Sequence, residues 1–388
     1  MPAKPTRKTA KKSVKRPSKR AGGTKRKAVT KGARKPARRP MSAGKRPASR
    51  AAVRKATPVV RKTARAVRKA SPAVLKATPA AGKYRSGGAS KIVPHLWFDK
   101  EAREAAAFYA SLFPDSGIDS TAVIRNTPSG DCDLVSFHLA GQDFMAISAG
   151  PVFKFNPSIS FILNFDPSQD KEARRRLDAT WNALVKGGQV MMELQEYPHS
   201  KRYGWLQDRY GVSWQLLLTD PSGERRPFIV PALMFTGKNA GRAEEAIQFY
   251  TSTFKDSRRG TTAHYPKAME SEKGGIMYAD FQLEGQWFAL MESRGPHAFT
   301  FNEALSLLVC CEDQKEIDGY WAKLSAMPEA EQCGWLKDKF GVSWQIAPKE
   351  MDEMLSKGTH AQVDRVTKAF LPMKKFDVAA LRRAYAGT

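Results

Sequence analysis

The sequence predicts an α+β protein made of two tandem repeats, each holding two βαβββ modules, behind a long basic tail. Three observations carry this prediction. First, Gly204-Trp205-Leu206-Gln207-Asp208-Arg209-Tyr210-Gly211-Val212-Ser213-Trp214-Gln215 returns as Gly334-Trp335-Leu336-Lys337-Asp338-Lys339-Phe340-Gly341-Val342-Ser343-Trp344-Gln345, with nine of twelve positions identical. Self-similarity of that quality marks a duplication. Second, strand-like runs and helix-like apolar stripes follow one another in a recurring β-α-β-β-β order. Third, composition changes sharply near residue 90. Residues 1–90 hold 30 Lys or Arg, no Asp or Glu, and Tyr84 as their one aromatic residue.

The formal charge of +27 therefore belongs to the tail, because the remaining residues carry 35 basic groups against 38 acidic ones. A segment so charged and so poor in apolar side chains cannot offset its ordering entropy by burial, so disorder is expected over 1–90. Its near-copies Lys55-Ala56-Thr57-Pro58, Lys69-Ala70-Ser71-Pro72 and Lys76-Ala77-Thr78-Pro79 are punctuated by proline, which favours extended chain. The composition is similar to the lysine-, alanine- and proline-rich tails of linker-histone-like proteins. Candidate phosphate contacts are Lys11, Lys12, Lys15, Arg16, Lys25, Arg26, Lys27, Arg38, Arg39, Arg61, Lys62, Arg68 and Lys69. Binding through them to DNA, RNA or another polyanion would rest on counterion release and carry little sequence preference. Stacking on single strands would need aromatic residues that the tail lacks.

In the folded part, Lys91 to Phe98 reads as a strand, and Asp99 is placed to cap a helix carrying Ala105, Phe108, Tyr109, Leu112 and Phe113 on one face. Pro114 ends it. Thr121–Thr127 is a strand, and Leu134–Ala140 with Gln142–Ser148 forms a hairpin about Gly141. Ser158–Phe165 opens the second module. Its helix, over 170–186, carries Leu177, Trp181, Leu184 and Val185 on one face and closes at Gly187-Gly188. Gln189–Gln195 and the twelve-residue motif supply the last strands. The first domain is thus 91–220, a turn-rich linker covers 221–227, and the second domain is 228–388. In the second domain Phe249-Tyr250 answers Phe108-Tyr109, and Trp321 answers Trp181. The stretch between Leu324 and Gly334 is about ten residues shorter than its counterpart, so one strand or hairpin extension should be missing. A C-terminal helical extension follows, with Val363, Val366 and Phe370 at helical spacing and Asp377 capping a last short helix.

Cys132, Cys310, Cys311 and Cys333 stand at no metal-binding spacing and read as small apolar residues of a reducing compartment. No apolar run approaches the ~20 residues of a membrane span, and no secretory leader is expected. Cytoplasmic placement, extended to the nucleoid by the tail, is the expectation.

Pro94-His95-Leu96-Trp97-Phe98, Phe108-Tyr109, Gly141-Gln142, Phe155-Asn156, Trp181 and the twelve-residue motif together resemble the PhnB-like branch of the glyoxalase/bleomycin-resistance/dioxygenase, or vicinal oxygen chelate, superfamily. Proteins of that branch often carry the label 3-demethylubiquinone 3-methyltransferase. The resemblance covers nearly all of 91–388, twice. It implies tandem vicinal-oxygen-chelate domains whose paired modules curl their sheets into half-open cups. It also implies, for the superfamily's enzymes, metal ligands on the first and fourth strand of each module. At those positions the first domain offers His95, then Ala146, Ile147 and Ser148, then Ser160 and Gln215; the second offers Ala232, Met291 and Glu292, Ser306 and Gln345. A catalytic cation wants about three protein ligands. His95 and Gln215 are the only weak candidates, so no metal and no cofactor is expected. No glycine-rich loop closes a Rossmann strand to hold a methyl donor.

The candidate pocket residues are His95, Trp97, Ser160, Trp214, Gln215, Ser306, Trp344 and Gln345. Asp208 and Asp338 read as turn carboxylates, and no catalytic residue is assigned. The function expected is binding of an unidentified small molecule without metal, near nucleic acid held by the tail. The alternatives are a nucleoid-associated interaction protein whose folded domains are structural, with homodimerisation allowed, and a metal-dependent lyase or dioxygenase.

Overall fold

A computed structural model describes residues 90–266 and 275–388. The tail 1–89, and with it the expected disorder, lies outside the described residues. The first module comprises β1 (Ile92–Phe98), α1 (Ala102–Leu112), β2 (Gly117–Thr127), β3 (Gly130–Leu139) and β4 (Gln142–Ser148). The second comprises β5 (Ile159–Phe165), α2 (Ala173–Leu184), β6 (Gln189–Tyr197), β7 (Ser200–Gln207) and β8 (Ser213–Leu218). The third holds β9 (Ile229–Phe235), α3 (Ala243–Thr253), β10 (Arg258–His264), β11 (Ile276–Leu283) and β12 (Gln286–Glu292). The fourth holds β13 (Leu305–Cys311), α4 (Gln314–Leu324), β14 (Trp335–Lys337) and β15 (Ser343–Pro348), followed by α5 (Glu350–Lys357), α6 (His360–Phe370) and α7 (Val378–Ala386).

These modules make two mixed sheets, and each sheet draws on both sequence repeats. One runs β14-β15-β13-β1-β4-β3-β2 and joins the first module to the fourth; the other runs β10-β11-β12-β9-β5-β8-β7-β6 and joins the second to the third. Both seams are antiparallel pairings of first strands. His95 stands opposite Ser306 in the first seam, and Ser160 stands opposite Ala232 in the second. Within a module the first and last strands pair in parallel, as β1 does with β4 and β5 with β8.

Strand alternation sends every second side chain to the same face. Ile92, Leu96 and Phe98 of β1, with Phe161 and Leu163 of β5, enter one large core shared by both sheets and by α1 to α4. Val93 of β1 enters a separate cluster on the other face of the first sheet, and Ile162 of β5 does so on the other face of the second. The two sheets therefore turn one face each toward the common core and the other face away from it.

Two buried carboxylates fasten this core. The Asp208 side chain accepts hydrogen bonds from Tyr109 Oη (2.7 Å), Trp214 Nε1 (2.8 Å) and the amides of Tyr210 and Val212. The Asp338 side chain does the same with Tyr250 Oη (2.7 Å), Trp344 Nε1 (2.9 Å) and the amides of Phe340 and Val342. In each case the tyrosine comes from a helix packed with one sheet and the carboxylate from a turn of the other. Burial pushes both carboxyls above the usual range, and the indole and phenol hydrogen bonds work against that rise. Both residues are thus more than the turn carboxylates read from the sequence.

Local expectations hold in most places. Asp377 caps α7 by accepting from the Ala380 amide, and Gly187 adopts the left-handed conformation. Asp99 does not cap α1, which starts at Ala102 with Glu101 before it. Ser148 Oγ at the end of β4 accepts from the Ala102 amide instead, and Glu292 at the end of β12 serves Ala243 in the same way. A tertiary neighbour satisfies these helix starts, so the local cap is not needed.

The missing extension of the fourth module is also as expected: β14 has three residues and, among the described residues, no partner like β6 beyond it. The C-terminal segment takes that place. The amides of Cys333 and Gly334 donate to the carbonyls of Met373 and Lys374, both at 2.7 Å. A Cβ on Gly334 would lie 2.5 Å from the Phe376 ring, as one on Gly204 would lie 2.5 Å from Trp181, so both glycines admit close packing of an aromatic ring. Asp338→Ala should leave four donors without their acceptor and cost ~3 kcal/mol or more, against ~1 kcal/mol for Tyr250→Phe, as read by urea denaturation.

Candidate functional site

The outward faces of the two sheets are built to one plan and finished differently. On the first sheet, Gln345 Nε2 donates to Ser306 Oγ at 2.9 Å. On the second, Gln215 Nε2 donates to Ser160 Oγ at 2.8 Å. The Gln–Ser pair is thus duplicated along with the motif that ends in glutamine. Across the seam from it stands His95 in the first sheet and Ala232 in the second.

The chain fills the first of these faces itself. Met351, Met354 and Leu355 of α5, Val363, Val366 and Phe370 of α6, and Leu381 of α7 pack with Val93, Leu134 and Leu308 of the sheet. Ser136 Oγ also donates to Asp352 at 2.7 Å. His95 lies beneath this layer, 4% exposed, with its ring edge-on to Trp335 at 5.7 Å and its Nδ1 without a hydrogen-bond partner. Burial holds its pKa down at about 4, which keeps the imidazole neutral.

The second face carries polar groups and an apolar wall drawn, among the described residues, from strands alone. Ile162, Val230, Ala232, Trp287 and Ala289 make the wall. Tyr203 Oη donates to Gln215 Oε1 at 2.7 Å, which fixes the amide so that its nitrogen meets Ser160. On the β11 side Arg226 and Asp280 form a two-pronged pair at 2.8 and 3.2 Å, and the guanidinium lies 3.8 Å from the centre of the Trp287 ring. Tyr203 stands where the second repeat has Cys333, and that substitution distinguishes the two faces.

The pocket residues expected from the sequence thus fall into three places. His95, Ser306 and Gln345 share the filled face, and Ser160 and Gln215 share the other. Trp97 sits at the edge of the first, donating from Nε1 to the Gly150 carbonyl at 2.9 Å. Trp214 and Trp344 are corrected: both point into the common core, 0% and 1% exposed, because strand parity turns them opposite to the neighbouring glutamines. His95 and Gln215 lie on different sheets, on faces turned away from the shared core, so they cannot bind one ion. Tyr203, Arg226 and Asp280 were not read from the sequence. Strand parity through Gln215 could have pointed to Tyr203; the Arg226–Asp280 pair spans 54 residues and leaves no local signal.

Neither face fits a three-ligand cation site. The first offers one imidazole and one amide under a packed helical layer. The second offers a hydroxyl, an amide whose carbonyl already accepts from Tyr203, and the Asp280 carboxylate, which is taken by Arg226. Among the described residues no three His, Cys, Asp or Glu side chains are grouped to hold a metal. The cysteines are free, and burial pushes the Cys310 thiol up to about 12.

Comparison with known proteins defines the class. The family described as 3-demethylubiquinone-9 3-methyltransferase matches residues 90–217 and again residues 227–347. The chain belongs to that family and carries two copies of its domain, as the motif resemblance implied. Among solved structures, a PhnB protein from Bacillus cereus is 36% identical over 34% of this chain and 100% of its own, with a TM-score of 0.30. A protein from Pseudomonas aeruginosa is 25% identical over 34% of this chain and 98% of its own, at 0.29. Glyoxalase I from Zea mays is 12% identical over 66% of this chain and 93% of its own, at 0.41. No curated protein matches the chain. No described helix is long and apolar enough to cross a membrane. The tail cations Lys11 to Lys69 lie outside the described residues.

The buried imidazole has a consequence for acid stability. Its folded pKa is below the ordinary 6.5, so the unfolded chain binds the proton more readily. His95 should therefore contribute a loss of stability as pH falls from 6.5 toward about 4, with full stability retained above 6.5. Denaturation curves across this window should flatten in His95→Phe relative to the parent chain.

Proposed function

We propose that this protein binds an uncharged small molecule, without a metal, on the outward face of the second sheet, while its basic tail holds it near nucleic acid. The supporting observation is the difference between two faces that share one Gln–Ser pair. The first is filled by α5 to α7. The second holds Tyr203, Gln215 and Ser160, themselves buried, beside an apolar wall that among the described residues is built from strands. Gln215 spends one amide proton on Ser160, and the Ser160 hydroxyl accepts it, so the hydroxyl proton and the second amide proton are left to donate. Such a face suits a ligand with an apolar body and an acceptor oxygen, a carbonyl above all. Methyl transfer is no part of this proposal, since the described sheets are curled βαβββ pairs rather than a doubly wound sheet with a donor-binding loop.

The tail proposal rests on charge alone: 30 cations and no acid in ninety residues, before a remainder that is close to neutral.

For the binding face, the full chain should bind less than one equivalent of Zn, Ni, Mn, Fe or Co after equilibration and dialysis. It should also give a saturable thermal shift with aromatic ketones and none with the matching hydrocarbons, and Ser160→Ala should remove it. Stoichiometric metal lost on His95→Ala, or a ketone shift unchanged in Ser160→Ala, would overturn the reading. For the tail, affinity for duplex DNA should fall steeply and log-linearly with salt, and deletion of 1–90 should abolish it. Retained binding by 91–388 would show that the tail is not the contact.

A further inference from the structure

We infer that a second site, separate from the face proposed above, binds a small organic monoamine in the groove between the β1–α1 connection and the β7–β8 turn. This groove is a cavity of about 490 Å³. Trp97, Asp99, Glu101, Phe153 and Tyr210 are among the residues that line it. Trp97 and Phe153 meet edge to face at 5.1 Å. Among the described residues the Asp99 carboxylate has no hydrogen bond or ion pair, and the Glu101 carboxylate accepts only from the amide of Lys100.

The second repeat shows what belongs there. Its connection from β9 to α3 runs over seven residues, 236–242, where the first repeat has three, 99–101. The extra residues form a 3-10 turn, Gly237–Asn239. Asn239, fully buried, donates from Nδ2 to the Phe340 carbonyl at 2.7 Å. Arg242 places its guanidinium 4.5 Å from the centre of the Phe340 ring, and Lys339 places a second cation 5.2 Å from it. The second repeat thus occupies its own groove with an N–H donor and a cation on an aromatic face.

In the first repeat the donor and one of the two cations are gone. The turn is absent, the residue before the helix is Glu101 in place of Arg242, and Tyr210 stands in place of Phe340. The Tyr210 ring carries one cation, Arg209 at 4.8 Å, and its carbonyl has no donor among the described residues. Arg209 also lines the space, but its guanidinium lies 3.7 Å from Glu104 and 4.1 Å from the centre of the Phe108 ring, which leaves two carboxylates, a free carbonyl and aromatic walls to meet an ammonium group on an apolar body. Lys154 also lines the groove with its ammonium unpaired among the described residues, which selects a monoamine over a polyamine.

Calorimetry on the full chain with phenethylamine, 3-phenylpropionate and 2-phenylethanol tests this. Phenethylamine should bind saturably and more weakly as salt is raised, since the attraction is screened. The acid and the alcohol should not. Glu101→Arg, which supplies from the protein the cation that the second repeat carries, and Asp99→Asn should each weaken binding by roughly tenfold or more. Both positions are at the surface, so melting temperatures without ligand should stay near the parent value. Absence of saturable amine binding, equal binding of the alcohol, or unchanged affinity in Glu101→Arg would each overturn the site. None of these outcomes bears on the ketone face, which has its own variant, Ser160→Ala.

Discussion

The arrangement depends on carboxylates buried between two sheets. Asp208 gathers a phenol from α1, an indole from β8 and two turn amides, and Asp338 gathers the same set from α3, β15 and its own turn. Removing such a group from water is expensive unless every lone pair finds a donor. Here four donors converge on each, so the carboxylates can be buried and the helices are held at one distance and angle. This explains the spacing inside the repeated motif. The aspartate, the tight turn at Gly211 or Gly341 and the tryptophan six residues after the aspartate form one hydrogen-bonded unit, and it must survive whole.

That unit clamps the two sheets on their inner faces, and the differences between repeats that bear on binding lie on the outer faces and the rims. The first outer face has become a seat for the C-terminal helices, and His95 is sealed beneath them. The second keeps a polar triad facing away from the core. At the rim, four extra residues in one connection decide whether a groove is filled by protein or left for a ligand. Duplication has given the molecule four similar modules.

Much of the architecture was legible in the residues. Alternating and 3.6-residue periodicities placed the strands and helices, the motif revealed the duplication, and the ten-residue deficit after Leu324 foretold the stunted β14. The candidate site was only partly legible. Ser160, Gln215, Ser306 and Gln345 were found because they stand on the strands where the family resemblance implies ligand positions. Trp214 and Trp344 were misplaced because an aromatic residue beside a glutamine suits a pocket and a core equally well, and only strand parity separates the two. Asp99 offered a good local cap, yet Ser148 took the role from across the sheet.

The sequence by itself determined the repeat, the order of elements within each module and the position of the charge, because these follow from neighbours a few residues apart. The tertiary structure alone decided which modules share a sheet. All four present similar first strands, so pairing β1 with β13 and β5 with β9 is a choice among nearly equivalent edges. It is settled by long-range closure of the core, and no local pattern encodes it. The same closure brings α5 to α7 onto one outer face, while among the described residues the other is built from strands.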